Sequence, residues 1–319
     1  AVVGIGAVAP PAREISGAAP DYYAGGGSGH VSAKKVVSAF EGISERASEL
    51  NVNVVFTPGF NHSQAQELVA KADAVVFVGV TTASEGMDRQ SLNLDFDANE
   101  LISLLAPIKP TIVLMQTPGA VLTPWRDEVA AVANLFLGGE ETGRAWARAI
   151  FGDVSPAGKL PIGMPATAED VIQPEASNVT YGEGLLTSYR SPSLKAAFPF
   201  GHGLSYTSFE YGPPQAYKEG CAARACVRMT VANTGKRPGS EIAQAYLRFR
   251  PEAGEPALVL RGFHKTRVLQ PGEKEEVLFP FTDRDLSIYR PDAGGWVVQS
   301  GMQAHIGASS ADIRQSLDI

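Results

Sequence analysis

The residues best placed to do chemistry are Ser84-Glu85-Gly86-Met87-Asp88-Arg89, which follow the continuous apolar run Ala74–Val80. Such a run reads as a strand buried on both faces, and open α/β sheets bind ligands outside the carboxyl ends of their strands. Glu85 therefore offers a carboxylate where reactions are hosted. Gly86 lets the loop turn tightly and lets a ligand approach the backbone. A loop glutamate also has plainer uses, capping a helix or pairing with Arg89. Asp88 and Arg89 are expected to form a structural pair that holds the loop in shape. The other glycine-rich stretch, Gly25-Gly26-Gly27-Ser28-Gly29, lacks a following Lys-Ser/Thr and the G-x-G-x-x-G spacing, which argues against a nucleotide site. Gly4-Ile5-Gly6 is equally weak as a Rossmann signal.

These residues need a scaffold, and the periodicity supplies one. Val2–Val8, Val52–Thr57, Ala74–Val80, Thr111–Gln116 and Ala130–Leu137 read as strands. Ala33–Leu50, Gln64–Ala72, Glu100–Ala106 and Glu140–Phe151 read as helices, the second capped by Ser63. This alternation predicts an α/β domain over residues 1–160, a mostly parallel sheet with helices on both faces. Residues 161–210 lose periodicity and carry recurrent Pro and Gly, an irregular connector. From 211 to 319 short alternating segments separated by turn signals predict an all-β immunoglobulin/fibronectin III-like sandwich. Its expected strands are Cys226–Ala232, Glu241–Phe249, Leu258–Leu269, Glu275–Phe281, Trp296–Gln299 and Gln303–Gly307.

Composition narrows the partners. Hydrophobic residues at 44% and charged residues at 19% place the chain among globular proteins. A net charge of −7, with no basic cluster, argues against nucleic acid. No apolar run reaches the length of a membrane span. Five histidines without ligand spacing and two cysteines give no expectation of a metal. Cys221 and Cys226 suit a small loop closed by a disulfide, the alternative being two free thiols. The sequons at Asn61 and Asn178 are candidate glycosylation sites. They point to a secreted or vacuolar/lysosomal-type compartment, although no signal peptide is visible. The chain opens at Ala1-Val2-Val3-Gly4 without Met, within an apparent strand, so processing or truncation of a longer precursor is expected.

Five segments in fixed order resemble the C-terminal half of family 3 glycoside hydrolases, the β-glucosidase and β-xylosidase family. They are Gly25-Gly26-Gly27-Ser28-Gly29-His30-Val31, Glu85-Gly86-Met87-Asp88-Arg89 with Leu92 and Leu94, and Phe151-Gly152-Asp153 through Gly158-Lys159-Leu160-Pro161. The fourth is Tyr181-Gly182-Glu183-Gly184-Leu185 with Tyr189-Arg190. The fifth, Phe198-Pro199-Phe200-Gly201-His202-Gly203-Leu204-Ser205-Tyr206-Thr207, matches the family pattern almost residue for residue. Leu260-Arg261-Gly262-Phe263 and Leu269-Gln270-Pro271-Gly272-Glu273 resemble that family's fibronectin-like domain.

The resemblance implies retaining hydrolysis of terminal β-linked glucose or xylose, with an oligo- or disaccharide as substrate and no cofactor. Such hydrolysis needs two carboxyl groups about 5–5.5 Å apart. In the family the nucleophilic Asp lies on a barrel of roughly 250 residues, for which this chain has neither the motif nor the room. The implied partner is thus a barrel domain, from the same precursor or another chain. The resemblance implies the acid/base role for Glu85. Many members also carry an acidic residue where this chain has Ala83, which leaves open a non-catalytic glycan-binding or assembly protein. Tyr181, Tyr189, Phe198, Phe200 and Tyr206 are expected to pack the connector rather than stack on sugar. Trp125 and Trp146 are expected in the core or at a domain interface.

Overall fold

A computed structural model describes residues 1–9, 22–31, 33–173 and 179–319. The chain divides into two compact units. The first is Ala1–Asp153 with Pro165–Ala168, and the second is Val154–Met164 with Glu169–Ile319. The candidate sequon at Asn178 lies outside the described residues.

In the first unit, β1 (Val2–Val3), β2 (Phe56–Thr57), β3 (Val75–Val80), β4 (Thr111–Gln116) and β5 (Ala131–Asn134) form one sheet in the order β2-β1-β3-β4-β5. Every pairing is parallel, with Val2 beside Val76, Val75 beside Thr111 and Ile112 beside Ala131. Among the described residues three helices connect strands of this sheet, α1 (Ala39–Glu49), α2 (His62–Ala70) and α3 (Ala98–Leu105), and α4 (Thr142–Ile150) follows β5. The strand order reverses between β1 and β3, so the crevice of such a sheet opens at their carboxyl ends. The chain fills part of that crevice itself. After β1 it turns into a 3₁₀ segment, Ile5–Ala7, and a Cβ on Gly4 would stand 2.5 Å from the Val78 carbonyl oxygen. The first strand is therefore far shorter than its apolar run.

Helix α1 starts later and α2 earlier than periodicity suggests, and in both a side-chain cap marks the start. Ser38 closes a capping box: its Oγ accepts from the Glu41 N–H at 3.2 Å, while Glu41 Oε2 accepts from the Ser38 N–H at 2.8 Å. Asn61, not Ser63, caps α2, its Oδ1 accepting from the Gln64 N–H at 3.0 Å. Asp153 receives Nε and Nη2 of Arg46 at 2.9 and 2.7 Å, a bidentate pair that accounts for the acidic residue of the Phe151-Gly152-Asp153 motif.

Helices α1 and α4 touch backbone to backbone. A Cβ on Gly42 would lie 2.2 Å from the Gly143 carbonyl carbon, and one on Gly143 would lie 1.9 Å from the Ser38 carbonyl oxygen. Gly→Ala within a helix ordinarily gains at most about 1 kcal/mol. Overpacking typically costs about 1–3 kcal/mol, so the sign reverses here. Gly143→Ala is expected to lower the urea midpoint of the chain, whereas an exposed-site Gly→Ala control does not.

After the short strands β6 (Met164–Pro165) and β7 (Ala196–Phe198) in chain order, the second unit is a β-sandwich. One sheet joins β13 (Lys274–Phe281), β10 (Ala225–Asn233) and β8 (Phe209–Tyr211), with β9 (Gln215–Tyr217) also on β10. The other runs β12 (Val259–Lys265), β11 (Ile242–Arg248), β16 (Gln303–Ser309) and β17 (Asp312–Asp318). A separate hairpin pairs β14 (Ser287–Arg290) with β15 (Gly295–Val298). Val227, Met229, Ala245, Leu247, Phe279 and Ile306 are among the residues that build the buried core from both sheets. A Cys221–Cys226 disulfide closes the turn between β9 and β10.

Most of the stretch 161–210 belongs to this second unit, and Pro165–Ala168 belong to the first. Tyr189 stacks on Phe200 at 4.4 Å and meets Tyr246 edge-on at 6.0 Å, while its hydroxyl accepts from the Leu260 N–H at 3.0 Å. Phe198 stacks on His202 at 5.7 Å. Tyr181 and Tyr206 are the exceptions to packing, 73% and 44% exposed. Trp125 and Trp146 are buried in the first unit, Trp125 donating from Nε1 to Asn99 Oδ1 at 2.9 Å.

Candidate functional site

The loop leaving β3 carries the candidate carboxylate on a hairpin turn. The Met87 N–H donates to the Ser84 carbonyl at 3.0 Å, and the Ser84 N–H returns the bond at 3.4 Å. Gly86 holds φ at +72° in the third position, a backbone state that suits glycine. Glu85 thus stands at the tip of a defined turn, and its side chain is exposed.

The Gly25–His30 segment seats this turn. Glu85 Oε2 accepts from the Ser28 backbone N–H at 2.8 Å. A Cβ on Gly27 would fall 2.4 Å from Glu85 Cβ and 2.8 Å from its backbone nitrogen, and Gly27 has φ +88°. The segment is tied to itself: the His30 N–H donates to the Gly27 carbonyl at 3.0 Å, and His30 Nδ1 donates to the Gly25 carbonyl at 2.9 Å. The Ser28 hydroxyl, and after it the Ser28 N–H, hold the Glu85 carboxyl below the usual carboxylate range. As it stands Glu85 is an ionised hydrogen-bond acceptor, able to take a proton or to accept from a hydroxyl.

The expected Asp88–Arg89 pair does not form among the described residues. Arg89 Nη1 instead donates to the Ala120 carbonyl at 2.8 Å, and its charge faces Asp95. Adjacent residues on an extended segment point to opposite sides, so Asp88 is poorly placed for that pair. Asp95 sits beside Thr81, with its N–H on the Val80 carbonyl at 2.8 Å. Burial raises the Asp95 carboxyl above its ordinary value despite the Thr81 hydrogen bond and Arg89. Burial and then Asp95 push the Tyr22 hydroxyl up to about 12. Tyr22 packs edge-on against Phe96 at 6.4 Å, and Phe60 meets Phe96 at 5.9 Å. Phe96 and Asp97 both hold positive φ, at 59° and 52°. Sequence reasoning missed Tyr22 and Asp95. The signal available was a further acidic residue six positions beyond Arg89, directly after the apolar Leu94.

Residues 1–206 match the glycosyl hydrolase family 3 C-terminal domain, and residues 241–310 match a fibronectin type III-like domain. The chain is 34% identical over 317 residues to thermostable β-glucosidase B of Acetivibrio thermocellus, covering 91% of this chain and 42% of that protein. It is 32% identical over 324 residues to an exo-α-(1→6)-L-arabinopyranosidase of Bifidobacterium breve, covering 93% and 42%. A β-glucosidase structure from Chaetomella raphigera gives a TM-score of 0.91 at 27% identity, over 100% of this chain and 50% of that one. The β-glucosidase 3B structure from Thermotoga neapolitana in complex with glucose gives 0.82 at 29% identity, over 93% and 48%. The chain spans less than half the length of these two curated relatives.

Proposed function

Because this chain belongs to glycosyl hydrolase family 3 and corresponds to the C-terminal portion of its β-glucosidase-type members, we propose that it is the non-barrel part of a retaining β-glycosidase. The substrate class is a terminal β-linked glucose or xylose. The observation that carries this reading is Glu85, an exposed carboxylate presented on a fixed turn at the carboxyl end of the sheet. A barrel carboxylate attacks the anomeric carbon, and Glu85 gives its proton to the departing oxygen. Glu85 then takes a proton from the water that releases the sugar. The acid must be protonated first, against the pull of Ser28. A docked barrel supplies both opposing influences, a second carboxylate nearby and loss of water, and each raises a carboxyl pKa. No cofactor takes part in these steps. The Cys221–Cys226 disulfide supports an oxidising, secretory or vacuolar route.

The assay uses nitrophenyl β-glucoside and β-xyloside, first with the purified chain and then with the barrel-bearing material of its source. Turnover that requires the second polypeptide supports the proposal. Normal turnover by the chain alone overturns the division of carboxylates between two pieces. A second reading, glycan binding without hydrolysis, draws on Ala83 and on the ionised state of Glu85. Sugar binding without turnover in every combination selects it.

A further inference from the structure

We propose that Gly27 and Ser28 are the positioning residues of Glu85: the bare face of Gly27 admits the Ser84–Met87 turn, and Ser28 fixes the carboxyl once it is seated. This inference rests on the acid/base reading of Glu85 and deepens it. The geometry leaves no room for another residue at 27. A side chain there would strike both Cβ and the backbone nitrogen of Glu85, at 2.4 and 2.8 Å, and would also have to hold φ +88°. Backbone atoms cannot swing aside as a flexible side-chain tip can, so the turn itself must shift. The Ser28 N–H to Glu85 Oε2 bond at 2.8 Å then loses its length or its direction. The two loops are far apart in sequence yet make one unit, and the first is tied to itself by the two His30 contacts with Gly25 and Gly27.

Seating has a chemical consequence. A carboxyl that accepts from fixed donors resists protonation, and the Ser28 hydroxyl acts first in this, before the N–H. The loop thus sets where Glu85 changes from proton donor to proton acceptor. In a retaining enzyme the basic limb of the kcat/KM profile reports loss of the acid's proton. Loosening the Ser28 contacts therefore moves that limb to higher pH.

The test has one arm on the full 319-residue chain and one on the barrel-bearing enzyme. Carboxyl-carbon NMR follows Glu85 through a pH titration, with Glu85→Gln identifying the signal. Ser28→Ala is expected to raise the titration midpoint and Ser28→Thr to restore it. The amide proton of residue 28 should titrate together with Glu85 in the wild type. In the enzyme, Gly27→Ala is expected to lower kcat/KM about 100-fold, the scale of an ångström of misplacement. The Ser28→Ala basic limb should move to higher pH. Should Gly27→Ala fail to fold, the Ser28 pair still decides the matter. A Ser28→Ala midpoint at or below that of the wild type overturns the proposal. So does a Gly27→Ala enzyme with wild-type kcat/KM. These failures differ from failure of the acid/base reading, which is Glu85→Gln leaving turnover of alkyl glucosides intact.

Discussion

Glu85→Gln, in an enzyme that contains both this chain and its barrel, is expected to lower kcat/KM on alkyl β-glucosides about 10²–10⁴-fold, the usual worth of a positioned proton donor. The leaving group makes the result diagnostic. An alkoxide departs only with a proton, so that substrate bears the full loss. A dinitrophenolate departs with little help, so its kcat/KM changes far less. Its kcat still falls, because the second step lacks a base to deprotonate water, and the glycosyl-enzyme accumulates as a burst. Glutamine keeps the size of the side chain and can still accept the Ser28 N–H, so the seat described above stays occupied. Equal losses with both leaving groups would mean that Glu85 holds the sugar or the loop and does not move a proton.

The second large effect is structural. Lys159 Nζ lies 2.9 Å from Glu241 Oε1, with the two side chains only 10% and 8% exposed. Lys159 also donates to the Gly203 carbonyl at 2.9 Å, and Glu241 Oε1 accepts from the Ile242 N–H at 2.7 Å. The pair thus clamps the Gly158–Lys159 and Gly203 turns to the start of β11. Breaking one partner of a buried pair costs about 3–5 kcal/mol, because a charge is left without compensation. Domain stabilities are themselves only about 5–15 kcal/mol. Lys159→Met is therefore expected to bring the second unit to the edge of unfolding, read as an early urea transition. The double variant Lys159→Met with Glu241→Leu should recover much of the loss, since no orphan charge remains. A Lys159→Met chain with the wild-type midpoint would show that water reaches Glu241 freely.

Elements buried on both faces were the most legible in the sequence. Strand β4 coincides with its predicted span, Thr111–Gln116, whose centre Ile112–Met115 is a continuous apolar run, and β3 differs from its predicted span by a single residue. Boundaries fixed by tertiary contact were not legible. Residues before Ser38 continue a helical spacing, yet the Val37 N–H bonds the Glu140 carbonyl at 2.8 Å and the helix starts at Ala39. The meeting of Gly42 and Gly143 leaves no trace in chain order, because it exists only in three dimensions. Strand β17, Asp312–Asp318, was missed because an edge strand with one solvated face carries too many polar residues for its pattern to register. At the site, the placing of Glu85 on a loop after a buried strand was legible. Its seat was not: Gly25–Gly29 read only as a glycine-rich loop, and nothing in the chain order announces that Gly27 lies against Glu85. The Asp88–Arg89 expectation failed for the same reason, since sequence adjacency is a poor proxy for facing side chains.

The Ser84–Met87 turn and its glycine seat belong wholly to the sheet domain, so the conformational entropy of arranging Glu85 is lost when that domain folds. Under the proposed division of carboxylates, joining a barrel becomes the meeting of two preformed surfaces. Catalysis by separated pieces would then be second order at low concentration, falling fourfold when both are diluted twofold. A covalent tether replaces that dependence with a local concentration in the millimolar range. Barrels of different sugar preference could, on this view, be exchanged against one unchanged proton-handling half.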